Sequence, residues 1–460
     1  MKSPAIIADP KVVKRRARRA KRQRLFSNGT LAAAAMVLAA LIAILVANTD
    51  AYYAVHTFCL EPHAFDLGFL QGHLSVEVFV NDFLMAIFFL LVGIELKYEM
   101  TVGELRKPRQ AALPMLAAVG GVVVPAVIYI AFNFGKESMG GWAIPMATDI
   151  AFALGVMSLL GDRVSPATKV FFSTLAIADD ILAIVVIALF YGTAPSIPWL
   201  AASAVCVVVL FALNRARVYY SSQYIIVGAI LWFCMFNSGI HATLAGVIVA
   251  LFLPASSDIR LSALRPWLEK KSKELSSAYD EEMSVLGQHH FTQIAAGIEK
   301  VMDHVTPPLQ RVERNISTLV NFGILPLFAF VNAQVRFIGV DPVSVLQSPV
   351  ADGAFLGAFI GKPIGIIVVT VMLVRIGFAR LPKGVNWHQI VGVGIMGGLG
   401  FTMSILIANL AFTDETQILA AKCAILSCSV VAAVLGCFYL FITSSFKPAT
   451  TSRPRAKKSS

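Results

Sequence analysis

Two adjacent carboxylates, Asp179 and Asp180, lie in the middle of an apolar run that extends from Phe171 to Phe190. The run is long enough to form a helix that crosses the hydrocarbon core of a bilayer. A charged carboxylate at that depth is costly, so it persists only where a cavity, a cation or a proton neutralises it. The pair is therefore a candidate site at which a cation and a proton exchange.

The chemistry of this pair favours competition between ions. Two carboxylates this close disfavour double ionisation, so one of them readily takes a proton. Na⁺ and Li⁺ are hard cations that prefer oxygen ligands, and they would compete with protons for the same oxygens. Such competition is sufficient for antiport when the site faces one side of the membrane at a time. The alternative is a buried pair that a fixed basic partner neutralises, without a transport role.

Three further polar residues lie at membrane depth in other apolar segments. Thr148 and Asp149 follow Pro145, and a helix broken there would leave backbone groups that need partners. Thr148 offers a hydroxyl, and the negative charge of Asp149 is favourable near helix N-termini. Lys362 supplies the opposite charge, which can pair with an intramembrane aspartate or balance C-terminal carbonyls. Other ionisable residues in or beside the apolar segments are Asp82, Glu95 and His241.

The composition is that of a polytopic membrane protein. Hydrophobic residues make up 57% of the 460 residues and charged residues only 14%, and the mean hydropathy is +0.74. A soluble domain typically has about 25% charged residues. We predict twelve membrane-spanning segments, at 30–48, 76–97, 111–132, 142–160, 168–191, 197–213, 222–237, 240–254, 315–333, 351–374, 388–411 and 416–443.

The distribution of charge predicts the topology and the domain boundaries. Almost all of the 38 Lys and Arg residues fall on the side of the basic first tail, which is therefore predicted to be cytoplasmic. Twelve spans then place both termini in the cytoplasm. We expect a basic tail at 1–28, a transmembrane domain at 29–446 with an inserted cytoplasmic loop at 255–314, and a second basic tail at 447–460.

Most of the basic residues flank predicted membrane spans. Their position indicates the kind of binding partner, and it also raises the question of whether the first apolar segment is a signal peptide. The net charge of +11 therefore indicates topology and attraction to anionic lipid rather than nucleic-acid binding. A basic tail before an apolar run is also typical of a signal peptide. The first apolar segment is long and has no clear small-x-small cleavage site, which favours a retained helix.

The eleventh segment is rich in glycine. Gly392, Gly394, Gly397, Gly398 and Gly400 precede a Phe-Thr-Met-Ser sequence. Such density within a span indicates an interrupted helix. Close packing of ordinary helices is the alternative explanation.

Seven stretches spread along the chain form a distinctive set: NDFLMAIFFLLVGIELK (81–97), MATDIAF (146–152), LAIADDI (175–181), SGIHATLAG (238–246), ILPLFAFVN (324–332), IGKP (360–363) and GFTMS (400–404). Together they resemble the NhaA family of Na⁺/H⁺ antiporters, and the resemblance extends from about residue 30 to 445.

The resemblance implies a fold and an activity. The fold would be an all-α polytopic membrane protein of twelve transmembrane helices, in which the third to fifth and the tenth to twelfth form inverted repeats. The fourth and eleventh helices would be unwound and cross at mid-membrane. The activity would be electrogenic extrusion of Na⁺ or Li⁺ from the cytoplasm in exchange for external protons. Such a secondary transporter, not an enzyme, would serve pH and sodium homeostasis in a bacterial inner membrane.

The resemblance also implies roles for the intramembrane residues. Asp180 would be the principal cation carboxylate, and Asp179 its neighbour in cation and proton exchange, with Thr148 close by. Asp149 and Lys362 would offset the dipole ends of the broken helices. Lys362 would alternate between pairing with Asp179 and release.

A pH response is expected from charges near the cytoplasmic mouth, to which Glu95 and Glu313 correspond. After Glu313, where histidines commonly follow in relatives, this sequence has Arg314 and Ser317, so it departs from the family pattern. Asp82 matches a family carboxylate with either a structural role or a role in the ion pathway.

The expected partners are Na⁺, Li⁺ and H⁺ as transported ions, anionic lipid, and a second copy of the chain in a homodimer, with no cofactor. An intramembrane aspartyl protease is one alternative, but its two aspartates would come from different helices. Adjacent aspartates on one helix, with Lys362 available, favour transport. A transport-inactive ion or pH sensor is a second alternative, against which the presence of both Asp179 and Asp180 argues. The sequence has no G-x-x-x-x-G-K-[ST] phosphate loop.

Overall fold

The computed structural model describes residues 11, 14, 15, 17, 18, 29–66, 71–106, 108–192, 195–338, 345, 347–382 and 384–445. Most of the predicted tail at 1–28 and all of the tail at 447–460 lie outside these residues. The described chain is largely helical, as expected for apolar segments that must satisfy their own backbone hydrogen bonds in lipid. The helices are α1 (Gly29–Ala47), α2 (Tyr52–Leu60), α3 (Val76–Thr101), α4 (Pro108–Asn133), α5 (Ile150–Leu159), α6 (Pro166–Phe190), α7 (Ile197–Arg215), α8 (Ser221–Ser238), α9 (Leu244–Phe252), α10 (Leu261–Ser277), α11 (His289–Val305), α12 (Pro308–Asn332), α13 (Pro349–Arg375), α14 (Trp387–Gly397), α15 (Phe401–Ala411) and α16 (Glu415–Ser445).

The membrane-spanning character predicted from the sequence is confirmed. Among the described residues, eight helices are long and apolar enough to cross a bilayer, or ten when each of two bent pairs is taken as one span. The eight helices are α1, α3, α4, α6, α7, α12, α13 and α16. Helices α8 and α9, which correspond to the seventh and eighth predicted segments, are not among them. The protein is therefore a multi-pass membrane protein.

The two bent pairs coincide with the fourth and eleventh predicted segments. In the first, a 3₁₀ segment at Glu137–Met146 meets α5 at an angle of 43°, and in the second α14 meets α15 at 41°. Pro145 lacks a backbone N–H and its ring disfavours a continuous helix in the first pair. Glycines occupy the second break, at Gly398 and Gly400. Both breaks leave backbone groups at membrane depth that need partners from elsewhere.

Short irregular elements interrupt this helical pattern. A two-stranded antiparallel hairpin joins β1 (His63–Asp66) to β2 (Gln71–Leu74), with His63 opposite Leu74, between α2 and α3. Wider π-helical turns occur within three of the long helices, at Phe79–Leu84, Val320–Ile324 and Gly357–Gly361. Such turns are rare and often occur at functional sites.

The chain forms two compact units. The first comprises residues 1–50, 107–183 and 332–460, and its core is built by α4, α5, α6, α13, α14 and α16 around buried side chains such as Phe172 and Val393. The second comprises residues 51–106 and 184–331, where α3 packs on α9 and α7 packs on α8. The predicted loop at 255–314 belongs to the second unit and contains α10, α11 and the start of α12.

Backbone contact between α4 and α13 holds the first unit together tightly. A Cβ atom added at Gly120 would lie 2.5 Å from the carbonyl oxygen of Gly365, and one added at Gly365 would overlap the carbonyl oxygen of Gly120. Small residues permit such close approach, which drives helix association in lipid. The two glycines are required by this packing.

Replacing Gly365 with Ala should therefore destabilise the protein. The added methyl group meets backbone rather than a flexible side chain, and overpacking of this kind costs about 1–3 kcal/mol. We expect a clear fall in the melting temperature of the purified protein. Gly297→Ala is the matched control, because no atom lies within 4 Å of its Cβ position in α11. Equal melting temperatures for the two variants would contradict the packing argument.

Candidate functional site

A buried group of polar side chains forms in the first unit around Asp179. Its Oδ2 atom accepts a hydrogen bond from Thr148 Oγ1 at 2.6 Å and one from Lys362 Nζ at 2.6 Å. The exposed fraction is 1% for Asp179 and 0% for both Thr148 and Lys362. Residues from α6, α13 and the break before α5 thus meet at a single carboxylate oxygen.

The second oxygen of Asp179 lies in a different environment. Oδ1 is buried and has no hydrogen-bond partner among the described residues. Asp180 is the next residue of α6, is also 1% exposed, and interacts electrostatically with Lys362. Successive residues of a helix point about 100° apart, so the two carboxylates leave α6 in different directions. An unpartnered carboxylate oxygen here is an open acceptor for a proton or a hard cation.

Lys362 has two partners. Besides pairing with Asp179, its ammonium donates a hydrogen bond to the carbonyl oxygen of Met146, the last residue of the 3₁₀ segment. The two alternatives that the sequence offered for Lys362, an aspartate or C-terminal carbonyls, thus occur together. Gly121 and Gly397 flank its aliphatic stem, and a Cβ atom at either would lie at an ordinary contact distance of 3.8 Å from Lys362 Cγ but only 3.0 Å from the side chain of Ile366.

Asp149 caps the helix that follows the first break. Its Oδ1 atom accepts a hydrogen bond from the backbone N–H of Phe152 at 2.9 Å, which caps the N-terminus of α5. Its Oδ2 atom accepts from the Thr402 hydroxyl at 2.5 Å and from the Thr402 backbone N–H at 3.3 Å. Thr402 lies in the first turn of α15. The carboxylate therefore faces the N-termini of two helices, where a negative charge is favourable.

Residues of one break satisfy the free backbone carbonyls of the other. The Asp149 N–H donates to the carbonyl oxygen of Leu399 at 2.6 Å, and the Thr148 hydroxyl lies 3.1 Å from that of Gly397. In the opposite direction, Ser404 Oγ donates to the carbonyl oxygen of Ile144 at 2.8 Å. This reciprocal arrangement removes the cost of unpaired carbonyls at membrane depth.

Sequence reasoning did not identify Thr402 and Ser404 as members of this group. They appeared only within the GFTMS motif. Their position, two and four residues after Gly400 at the start of a helix, was the signal that could have found them, because polar side chains near a break often satisfy its backbone.

The remaining predicted residues, Asp82, Glu95 and Glu313, belong to the second unit. Asp82 lies in the π-helical turn of α3, and its carbonyl oxygen accepts a hydrogen bond from Trp232 Nε1 at 3.3 Å. Glu95 on α3 and Glu313 on α12 are close enough for their like charges to interact. The structure thus brings together the two carboxylates that the resemblance relates to a pH response.

Lys97, two residues after Glu95, has a structural contact of its own. Its ammonium donates hydrogen bonds to the carbonyl oxygens of Leu251, at 2.7 Å, and Leu253. These carbonyls lie at the C-terminal end of α9, where a cation is favourable. Lys97 therefore connects α3 with the end of α9 by hydrogen bonds within the second unit.

Comparison with known proteins identifies the family. Residues 23–440 match the sequence profile of the family described as Na⁺/H⁺ antiporter 1. An Na⁺/H⁺ antiporter NhaA of Helicobacter pylori (strain G27) is 40% identical over 420 residues, which cover 88% of this chain and 92% of the relative. An Na⁺/H⁺ antiporter NhaA of Christiangramia forsetii is 38% identical over 411 residues, 89% of this chain and 91% of the relative.

A third relative, an Na⁺/H⁺ antiporter NhaA 2 of Pseudomonas savastanoi pv. phaseolicola, is 43% identical over 420 residues, which cover 90% of this chain and 93% of the relative. These matches do not favour a protease or an inactive sensor. They extend over the buried group around Asp179 and over the carboxylates of the second unit. The chain belongs to the Na⁺/H⁺ antiporter family, whose members are secondary transporters and not enzymes.

Proposed function

We propose that this protein extrudes Na⁺ or Li⁺ from the cytoplasm in exchange for external protons, and that the exchange takes place at Asp179 and Asp180. The observation that carries the proposal is the buried contact of Asp179 with Lys362 and Thr148, beside a carboxylate oxygen without a partner among the described residues. Membrane-embedded carboxylates of this kind are functional by default.

Charge explains why a cation and a proton would exclude each other. The ionised carboxylates of Asp179 and Asp180 and the ammonium of Lys362 together carry one net negative charge, while the Asp149 carboxylate faces the N-termini of α5 and α15. Addition of either Na⁺ or H⁺ brings the group to neutrality. Addition of both would leave an uncompensated positive charge in a medium where that is expensive. The site would therefore hold either ion in turn.

Each residue of the site would then have its own role in the exchange. Asp180 and the Oδ1 atom of Asp179 would bind the cation, and the Thr148 hydroxyl would supply a further oxygen. Lys362 would hold Asp179 when the cation is absent and release it when the cation arrives. The resemblance implies that more than one proton exchanges for each cation, which makes the exchange electrogenic, so a second titratable group would release a proton besides the one displaced at the carboxylate pair.

We propose the twelve-span topology, with both termini in the cytoplasm, as the frame for this site. The 3₁₀ segment with α5 would be the fourth span, and α14 with α15 the eleventh, with the two crossing at mid-membrane within inverted repeats. The bends of 43° and 41° and the hydrogen bonds between the breaks support this arrangement. The domain would then occupy 29–446, with the cytoplasmic loop at 255–314 and basic tails at 1–28 and 447–460.

The other predicted residues would support the exchange. Asp149 and Lys362 would balance the ends of the broken helices, as their contacts with Phe152 and Met146 suggest. Glu95 and Glu313 would take part in a pH response, altered by Arg314 and Ser317 in place of the histidines of relatives. Asp82 would support the structure or the ion pathway.

The resemblance and the distribution of basic residues indicate the membrane, the lipid and the partner chain that would surround the protein. The protein would lie in a bacterial inner membrane, where it would contribute to pH and sodium homeostasis. Anionic lipid would contact the basic residues that flank the spans. A second copy of the chain would complete a homodimer.

Proton movement in membrane vesicles tests the proposed exchange. Everted vesicles from cells that lack other sodium–proton exchangers should acidify inside on energisation, and added Na⁺ or Li⁺ should release these protons when the protein is present. K⁺ at the same concentration is the control for ionic strength. The proposal is wrong if neither Na⁺ nor Li⁺ moves protons at any pH between about 6 and 9, a range that brackets the neutral region in which buried carboxylate pairs exchange protons.

A further inference from the structure

Five hydrogen bonds join the two breaks, and Thr402 makes two of them. Its hydroxyl and its backbone N–H both donate to Asp149 Oδ2, at 2.5 and 3.3 Å. The other three are the bond from the Asp149 N–H to Leu399, the contact between the Thr148 hydroxyl and Gly397, and the bond from Ser404 Oγ to Ile144. Only the hydroxyl of Thr402 supplies a side-chain donor to a charged group in this set.

The Thr402 hydroxyl lies where its hydrogen bond is strong. The residue is 1% exposed, and Asp149 is 3% exposed. A hydrogen bond to an ionised carboxylate is about twice as strong as one between neutral groups, and a group this far from bulk solvent pays a high cost when it loses its donor. The backbone N–H of Thr402, at 3.3 Å, is a longer and weaker contact with the same oxygen.

Asp149 connects the hydrogen bond from Thr402 with the position of the neighbouring Thr148. With Oδ2 held by Thr402 and Oδ1 held by Phe152, the carboxylate is fixed between α15 and α5. The peptide that joins Thr148 to Asp149 is fixed in turn by Leu399. The position of the Thr148 hydroxyl therefore depends on how firmly Asp149 is held.

Thr148 has two acceptors but only one hydrogen. Its Oγ1 atom lies 2.6 Å from Asp179 Oδ2 and 3.1 Å from the carbonyl oxygen of Gly397. A hydroxyl can donate to only one of them at a time. When a cation occupies the carboxylates, donation to Gly397 leaves the lone pairs of Thr148 free to face the cation. This change of partner requires that Gly397 stays within reach.

We propose that Thr402 is a positioning residue for cation exchange. Its hydroxyl holds Asp149 so that Thr148 can donate to Asp179 without the cation and to Gly397 with it. The inference rests on the proposed exchange at Asp179 and Asp180. Thr402 itself does not touch the transported ion, so its loss affects the binding of Na⁺ more than the maximum rate.

The test compares Thr402→Val with Thr402→Ser in everted vesicles, with the apparent KM for Na⁺ and the maximum rate as readouts. Valine keeps the shape and removes the donor, whereas serine keeps the donor. We expect Thr402→Val to raise the apparent KM about tenfold, as loss of a charge-assisted hydrogen bond predicts, with a smaller change in the maximum rate. Thr402→Ser should stay close to the unmodified protein.

Thr370→Val is the matched control. Thr370 is fully buried on α13, and its hydroxyl donates to the carbonyl oxygen of Ile366 in the same helix, at 2.6 Å, its one partner in the part of the chain that the structure describes. This control should leave the KM unchanged. Thr402→Ala provides a second way to remove the hydroxyl if the valine variant does not reach the membrane, and it should raise the KM in the same way.

The outcomes are distinct. An unchanged KM in the valine and alanine variants overturns the positioning role while the unmodified protein still exchanges Na⁺ for protons. An equal rise of the KM in the serine variant also overturns it, since packing of the methyl group would then be responsible. Absence of Na⁺-dependent proton movement in the unmodified protein would instead refute the proposed function, and the inference with it.

Discussion

Replacement of Asp180 with Asn should abolish Na⁺-dependent proton movement. Asparagine has nearly the shape of aspartate, but it carries no negative charge and does not exchange a proton. The carboxylate of Asp179 and the ammonium of Lys362 would then neutralise each other and leave no net charge at these three positions to attract a cation. We expect the signal from everted vesicles to fall to that of vesicles without the protein. Asp179→Asn should abolish or severely impair the exchange, because it also removes one of the two adjacent negative charges.

A matched control separates this effect from a general effect of the substitution. Asp414 is exposed between α15 and α16, and it accepts a hydrogen bond from the backbone N–H of Thr416 at 3.0 Å. Asparagine serves equally well at such a helix start, so Asp414→Asn should transport normally. Full proton movement in the Asp180→Asn variant, at equal amounts of protein in the membrane, would refute the assignment of the cation site.

Replacement of Lys362 with Met should produce the largest loss of stability. Methionine fills most of the space of the lysine stem, but it leaves the Asp179 carboxylate without its countercharge and the Met146 carbonyl without a donor. Removal of one partner from a buried ion pair typically costs about 3–5 kcal/mol. We expect a marked fall in the melting temperature of the purified protein and a shift in the pH profile of transport.

Two further variants identify the cause of this loss. Lys300→Met, on the exposed side of α11, should leave the melting temperature unchanged. The double variant Lys362→Met with Asp179→Asn should recover part of the lost stability, because the uncompensated carboxylate is removed together with the ammonium. An unchanged melting temperature and an unchanged pH profile for Lys362→Met would exclude a charge-balancing role.

The sequence predicts the spans well because the thickness of hydrocarbon fixes their length. The segment predicted at 168–191 is the helix Pro166–Phe190, and that predicted at 197–213 is Ile197–Arg215. Asp179 and Asp180 could be predicted as a candidate site because a charged residue in an apolar run is costly and therefore rare. The positions of the breaks were indicated by Pro145 and by the glycines near residue 398.

The partners of these residues could not be predicted from local pattern. Thr402 and Asp149 are separated by 253 positions in the chain, and Lys362 and Met146 by 216. Periodicity and hydropathy describe one segment at a time, and they carry no information on which segments meet. The hairpin His63–Leu74 was missed as well, because its strands are short and do not alternate clearly between apolar and polar residues.

Lys362 follows directly after the wide turn Gly357–Gly361 and lies three residues before Gly365, which is wedged against α4. At Gly365, the close approach to the backbone of Gly120 restricts movement of the helix along α4. Before Lys362, the wide turn contains one residue more than an ordinary α-helical turn. Migration of that extra residue past Lys362 would rotate the ammonium by about 100° around the helix axis. Within the nine residues from Gly357 to Gly365, the helix thus combines a wide turn with close packing against α4, and Lys362 lies between the two.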